Sequence, residues 1–205
     1  MRYPMLAKGS IPLIAIPLVL AQIIFLLRLW YLSFVFLGIG ILFIIFFRDP
    51  EREISSGIVA PADGVVTGIF RGEETIKIIT VMGLADVHVN RAPLGGKVVN
   101  ITHIPGQHKL AKSKDSEANE RLETTLETDM GQVMVTQIAG AFARRIVSYT
   151  REGENLSKGQ RMGIIRFGSR VDLVLPNRGY EVLVEKGSRV KAGASSLATE
   201  VGNEE

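Results

Sequence analysis

A chain of 205 residues with no cysteine cannot use a disulfide scaffold, a thiolate zinc site or cysteine catalysis. Its histidine inventory is short, His88, His103 and His108, and an unperturbed imidazole, titrating near ~6.5, is the natural proton-transfer group. His88 ends a strand-like run in Asp86-Val-His-Val-Asn-Arg-Ala-Pro93 and is the natural general base or acid. His103 and His108 flank Pro105-Gly106 and read as surface residues of a loop. The three lack the close spacing of a metal site, and no thiolate is available to supplement them, so no metal is expected. Asp63 places a carboxylate in the turn Pro61-Ala-Asp-Gly64, and Ser169 lies in Arg166-Phe-Gly-Ser-Arg-Val-Asp172 between two strand-like runs. The serine is not on a G-x-S-x-G elbow, which requires a strand followed by a helix. Each residue also has a plain structural account: a satisfied strand histidine, an Asp-Gly turn, a Gly-Ser bulge.

The elements that must position these residues change character near Asp49. From there the sequence reads as short β-like runs separated by turns. Gly57–Ala60, Val65–Phe70, Thr75–Met82, Val98–Ile104, Gln132–Ile138 and Ile146–Thr150 are expected strands, followed by Met162–Phe167, Val171–Leu175 and Tyr180–Val184. Ala111–Leu122 is polar and glycine-free, and reads as a short helix or loop. The expected class is mainly β (α+β), a sandwich or barrel. Val147–Gly159 is similar to Val182–Gly193: each has a strand, a glycine turn, an apolar residue and a second glycine turn. This is the layout of hammerhead turns in biotinyl- and lipoyl-carrier sandwiches. It supplies a rival function, a membrane-anchored adaptor or carrier with no catalysis.

Ahead of this part, Ile11–Phe47 contains a single charge, Arg28, in 37 positions. Arg28-Leu29-Trp30 separates two apolar stretches of 17, Ile11–Leu27 and Tyr31–Phe47. Each would form a helix of about 25 Å, short of a ~30 Å hydrocarbon core. A membrane hairpin fits, with Arg28, Trp30 and Tyr31 at the interface. Lys8 and Arg2 before it, and Arg48 and Arg52 after it, put both ends in the cytoplasm. A shallow re-entrant anchor is the nearer alternative, given Pro12, Pro17, Gly38 and Gly40, and a cleaved signal peptide the more distant one, for want of a small-residue cleavage site. The first 50 residues hold four basic residues and one acid, the whole net charge of +3. The remainder is balanced and shows no basic stripe, which argues against a nucleic-acid partner.

In chain order the sequence also carries Phe46-Phe-Arg-Asp-Pro-Glu-Arg52, Ala60-Pro-Ala-Asp-Gly64, Asp86-Val-His-Val-Asn-Arg-Ala-Pro93, Asn119-Glu-Arg121, Gln137-Ile-Ala-Gly140…Ala143-Arg-Arg-Ile-Val147 and Arg166-Phe-Gly-Ser-Arg-Val-Asp172. This series resembles the short-form phosphatidylserine decarboxylase proenzymes and the related archaetidylserine decarboxylases, from about Phe46 to Leu197. With the apolar run read as a membrane anchor over 1–48, the resemblance implies a catalytic domain over 49–205. It implies self-cleavage between Gly168 and Ser169, giving chains 1–168 and 169–205 that stay together as a heterodimer, with a higher oligomer left open. Ser169 would become a pyruvoyl group that forms a Schiff base with the amine of a serine phospholipid in the membrane, with neither pyridoxal phosphate nor metal. His88 would be the base for cleavage, the general acid of decarboxylation, or both, and Asp63 would orient it. One departure stands out: where the long form has a second histidine, this chain has Arg91. Ester-linked and ether-linked lipid tails are equally compatible with these residues, since the reacting atoms lie in the serine headgroup.

Overall fold

The computed structural model describes residues 5–106, 119–140, 145–166, 169–177 and 179–200. It divides into two compact units, Met1–Glu51 and Arg52–Glu205. The first unit is a pair of helices, α1 (Ile11–Leu26) and α2 (Trp30–Phe46), of 16 and 17 residues. A proline in the first turn suits the start of α1, where its missing N–H has no helical partner. The helix continues through Pro17. The turn closes tightly, with Arg28 at φ 60° and its N–H on the Phe25 carbonyl at 2.9 Å. Across the pair, the Ser33 hydroxyl donates to the Ala21 carbonyl at 2.7 Å. Both helices expose apolar side chains, including Ile16, Phe25, Trp30, Tyr31 and Phe34. At about 1.5 Å per residue they rise roughly 24 and 26 Å, and no described helix is long and apolar enough to cross a membrane.

The second unit is mainly β. Its strands are β1 (Ile58–Val59), β2 (Gly64–Arg71), β3 (Thr75–Met82), β4 (Val89–Arg91), β5 (Gly96–Ile104), β6 (Arg121–Thr128) and β7 (Gly131–Ala139). They continue with β8 (Arg145–Ser148), β9 (Asn155–Leu156), β10 (Arg161–Arg166), β11 (Ser169–Pro176), β12 (Tyr180–Val182), β13 (Arg189–Val190) and β14 (Ser196–Glu200). An eight-stranded sheet runs β13-β2-β3-β11-β7-β6-β5-β9, and two three-stranded sheets run β1-β14-β12 and β4-β10-β8. All pairs are antiparallel. The large sheet curls into a half-barrel and ends on the two-residue strands β13 and β9, an open form of the expected sandwich or barrel. The core lies on the row of Val66, Ile76, Ile78, Leu126, Val133, Val135, Val171, Leu173 and Leu175, all essentially inaccessible. Most of the proposed helix or loop Ala111–Leu122 lies outside the described residues, but Arg121 and Leu122 open β6. That strand alternates, with Leu122, Thr124 and Leu126 buried between more exposed polar neighbours.

The strand orders reveal an internal two-fold relation. Exchanging β1, β2, β3, β11, β12, β13 and β14 for β4, β5, β6, β7, β8, β9 and β10 maps each sheet order onto itself or its twin. The hydrogen bonds repeat in detail. Val66 donates to Ser188 and accepts from Gly187 (2.9 and 2.7 Å), while Val98 donates to Glu154 and accepts from Gly153 (both 2.8 Å). Gly193 donates to Ala60 at 2.9 Å, as Gly159 does to Ala92 at 2.8 Å. The halves cross-link symmetrically, Val59 N–H to the Pro93 carbonyl and Arg91 N–H to the Pro61 carbonyl. Gly159 and Gly193 have φ +78° and +76°, and a Cβ on either would run into the Ile54 side chain, so the twin turns need glycine twice over. One half is continuous, β4 to β10. The other is interrupted by it, between β3 and β11.

Candidate active site

The interruption ends at Ser169. By register, Ser169 opens β11 between Met82 of β3 and Ala139 of β7, at the centre of the large sheet. Gly168 lies outside the described residues. The sequence around 169 explains why the strand starts there in a fixed register. Val171, Leu173 and Leu175 supply an unbroken apolar row to the core, while Arg170 and Asp172 alternate onto the other face. There the Arg170 guanidinium grips the Asp172 carboxylate with two bonds, Nε at 2.6 Å and Nη2 at 2.7 Å, and Lys77 approaches it at 2.9 Å. The sequence reading gave Arg170 and Asp172 no role; they pin the opening residues of β11.

His88 is wholly buried. Its Nδ1 lies 2.8 Å from the Asp86 carbonyl oxygen. A carbonyl only accepts, so Nδ1 carries a proton, and in the neutral ring the lone pair is then on Nε2, the tautomer a base requires. The Asp86 carboxylate in turn is fixed by the Gly83 amide at 2.7 Å and by Arg189 at 3.1 Å. The His88 carbonyl receives the Ile165 N–H at 3.3 Å, which sets the histidine against β10 four residues before Ser169.

Among the described residues, the partners that the structure gives Asp63 are Arg52 and the Ala192 amide. Its carboxylate is taken by Arg52, Nη1 to Oδ1 at 2.5 Å and Nη2 to Oδ2 at 2.8 Å, and by the Ala192 amide at 2.8 Å. Arg52 also donates to the Ala192 carbonyl at 2.8 Å. The orienting acceptor on His88 is the main-chain carbonyl of Asp86, which lies two residues away and needs no side-chain order. Asp63 ties the Pro-Ala-Asp-Gly turn to the second glycine turn. Both side chains of the ion pair are about nine-tenths buried, so losing Arg52 would strand a carboxylate at a cost of about 3–5 kcal/mol. Arg91, in place of a second histidine, donates to the Gly159 carbonyl at 3.2 Å and is buried at the crossing of the two halves. His103 pairs with Glu120 at 2.9 Å on the surface, and His108 lies outside the described residues. No group of side chains suited to a metal ion occurs among the described residues.

Two buried amides complete the neighbourhood, and sequence reading alone did not reach them as a pair. Gln137 Nε2 donates to Asn90 Oδ1 at 2.7 Å, and Asn90 Nδ2 faces the Met82 sulfur at 3.8 Å. Met82 is the cross-strand partner of Ser169, and Gln137 is its diagonal neighbour on β7. A cavity of about 540 Å³, lined by His103, Glu120, Leu122, Arg145, Ile146 and Ser148, opens beside these strands.

The sequence comparisons identify the family. A family profile described as phosphatidylserine decarboxylase matches residues 39–198. The chain is 43% identical over 205 residues to a Methanosarcina barkeri protein that carries the name archaetidylserine decarboxylase proenzyme, covering 95% of this chain and 98% of the other. It is 49% identical over 154 residues to the phosphatidylserine decarboxylase proenzyme of Streptomyces coelicolor, covering 74% and 70% of the two chains. A Methanothermobacter thermautotrophicus protein named for archaetidylserine decarboxylase is 46% identical over 175 residues, 75% of this chain and 78% of its own. With the matched region taking in all fourteen strands but the last two residues of β14, the chain belongs to the phosphatidylserine decarboxylase family.

Proposed function

We propose that this protein decarboxylates a serine phospholipid, using a pyruvoyl group that it makes from its own Ser169 by cutting the Gly168–Ser169 bond. The observation that carries the proposal is the meeting of two features. A serine opens the central strand, hydrogen-bonded in register on both sides, and a sealed imidazole in its basic tautomer packs against the strand that precedes it. The Ser169 hydroxyl attacks the Gly168 carbonyl, with His88 Nε2 taking its proton, and the peptide becomes an ester. Elimination then breaks the serine Cβ–O bond, releasing Gly168 as a carboxylate. Hydrolysis of the remaining enamine, through its imine tautomer, expels ammonia and leaves a ketone at position 169.

The surroundings fit such a group. They offer a buried amide oxygen with no hydrogen-bond partner, Gln137 Oε1, a fixed backbone, and a cavity alongside. The pyruvoyl group supplies a ketone for the substrate amine and an adjoining carbonyl that accepts electrons as CO₂ leaves. His88, freed of its first duty, then returns a proton to the substrate carbon. The twin glycine turns are edges of the decarboxylase scaffold, and with family membership they no longer call for a carrier function.

The proposal is tested by mass spectrometry of the purified protein. Two chains are expected, ending at Gly168 and beginning at position 169, and borohydride in the presence of a serine lipid should fix that lipid on the smaller one. A single intact chain that takes no lipid would overturn it.

The helical unit is proposed to hold the enzyme at the cytoplasmic face of the cell membrane. Its support is the apolar surface on both helices, far more than a water-facing hairpin ordinarily shows. Helices of this length would lie shallowly in the bilayer. A chain beginning near Asp49 is expected to cleave itself and to turn over a dispersed short-chain lipid at nearly the full rate. On vesicles it should lose activity by about 10²-fold, as the effective concentration given by the tether disappears. Equal activity on vesicles with and without the helices would show that the anchor serves something else.

A further inference from the structure

We infer that Gln137 is the residue that receives the amine of the substrate, an assignment that rests on the proposed function above. Gln137 is 1% exposed, and its Oε1 is a buried acceptor without a hydrogen-bond partner. A buried amide oxygen left unmatched is costly in a folded protein and asks for an explanation. Which end of the amide is left over follows from its neighbours. Asn90 sets its Nδ2 toward the Met82 sulfur, a weak acceptor that cannot donate, so Asn90 Oδ1 faces Gln137. That oxygen must receive an N–H, which fixes Gln137 Nε2 upon it and leaves Oε1 turned elsewhere.

Register locates that oxygen. Gln137 pairs with Val171 on β11, and the next residue along the same face of β7, Ala139, pairs with Ser169. Diagonal neighbours of this kind lie about 7–8 Å apart, within reach of a side chain as long as glutamine. A cavity lies next to this amide. The cross-strand partner of Gln137 is Leu122, and Gly163, where a Cβ would come to 3.2 Å from Gln137 Nε2, pairs with Ser148. Leu122 and Ser148 both line the 540 Å³ cavity, whose wall also carries the cation of Arg145 and the carboxylate of Glu120. Gln137 thus lies one residue behind that wall, buried at the inner side of a polar cavity. The amide oxygen can accept an N–H of the incoming amine.

The test compares wild-type protein with Gln137→Met, which has similar length but no acceptor, and Gln137→Glu, which keeps an oxygen at the same reach. Three readings are taken: the number of chains, the rate at which borohydride alone reduces the ketone, and the rate at which cyanoborohydride fixes a short-chain serine lipid on the small chain. The methionine variant should cleave itself and be reduced directly like wild type. Its capture of the lipid amine should be slower by about 10- to 100-fold, the loss expected for one hydrogen bond to a charged group. The glutamate variant should recover most of that loss. Capture at the wild-type rate in Gln137→Met, equal losses in both variants, or a parallel fall in direct reduction would each overturn the assignment. Should Gln137→Met remain one chain, Gln137→Glu decides alone: it keeps an acceptor at the same reach once the Asn90 amide turns its Nδ2 toward it, so capture of the lipid amine should stay within about 10-fold of wild type, and a larger loss overturns the assignment. A wild-type protein that is never cleaved overturns the proposed function itself, and this inference with it.

Discussion

Ser169→Ala is expected to remain one chain of 205 residues, with no ketone and no measurable decarboxylation. Alanine has no oxygen to attack the Gly168 carbonyl, so the loss is complete rather than graded. The fold should survive, because the ladder from Ser169 to Met82 and Ala139 is made by main-chain atoms and the strand is held by Val171, Leu173 and Leu175 within the core. Intact mass and far-ultraviolet circular dichroism check both halves of the statement. Two chains from a well-folded Ser169→Ala protein would move the break, and with it the reacting residue, somewhere else.

His88→Ala should slow maturation by about 10²–10⁴-fold, the usual contribution of a positioned general base. The time course of chain separation on a denaturing gel measures it directly. The site predicts an asymmetry around this residue. Asp86 acts on the imidazole through its main-chain carbonyl, so Asp86→Asn should leave the tautomer of His88 intact and cost far less than His88→Ala. A His88→Ala protein that matures at the normal rate but cannot decarboxylate would confine the histidine to the second reaction. Arg91 would not inherit the first, being buried against the Gly159 carbonyl and permanently protonated.

The parts of this site that were legible in the sequence are those whose meaning is local. Gly168-Ser169, His88 and the Pro-Ala-Asp-Gly turn stand out as motifs, and the long apolar strands show themselves by composition, Thr75–Met82 with both ends correct. The parts that escaped depend on residues brought together from afar. The carboxylate of Asp63 finds Arg52 eleven positions away and the Ala192 amide 129 positions away. Neither is visible without the two-fold crossing. Strand β6 is hard to read because Arg121, Glu123, Glu127 and three threonines hide an alternation that rests on only two leucines. Gln137 and Asn90 meet only once β4 and β7 are in place. A signal for the repeat was nevertheless present. Ala60-Pro-Ala-Asp-Gly64 and Ala92-Pro-Leu-Gly-Gly96 are variants of one turn, 32 residues apart, and they mark the larger duplication of which the twin glycine turns are one portion.

The interruption of one half by the other changes how this protein can come apart. While the chain is whole, β3 and β11 belong to one molecule, with residues 83–168 between them, and their meeting is a loop closure with a fixed entropic cost. Once the bond before Ser169 is broken, the middle strand of the large sheet belongs to a separate peptide, clasped between β3 and β7 along its length. Nothing is lost from the native ladder, so the cut enzyme holds together. After denaturation, however, its recovery depends on an encounter between two molecules and varies with their concentration. The small chain carries the reactive group, and the large chain retains an open slot at the centre of its sheet. Maturation thus converts a fold that can be remade from its own sequence into an assembly that persists by the slowness of its unfolding.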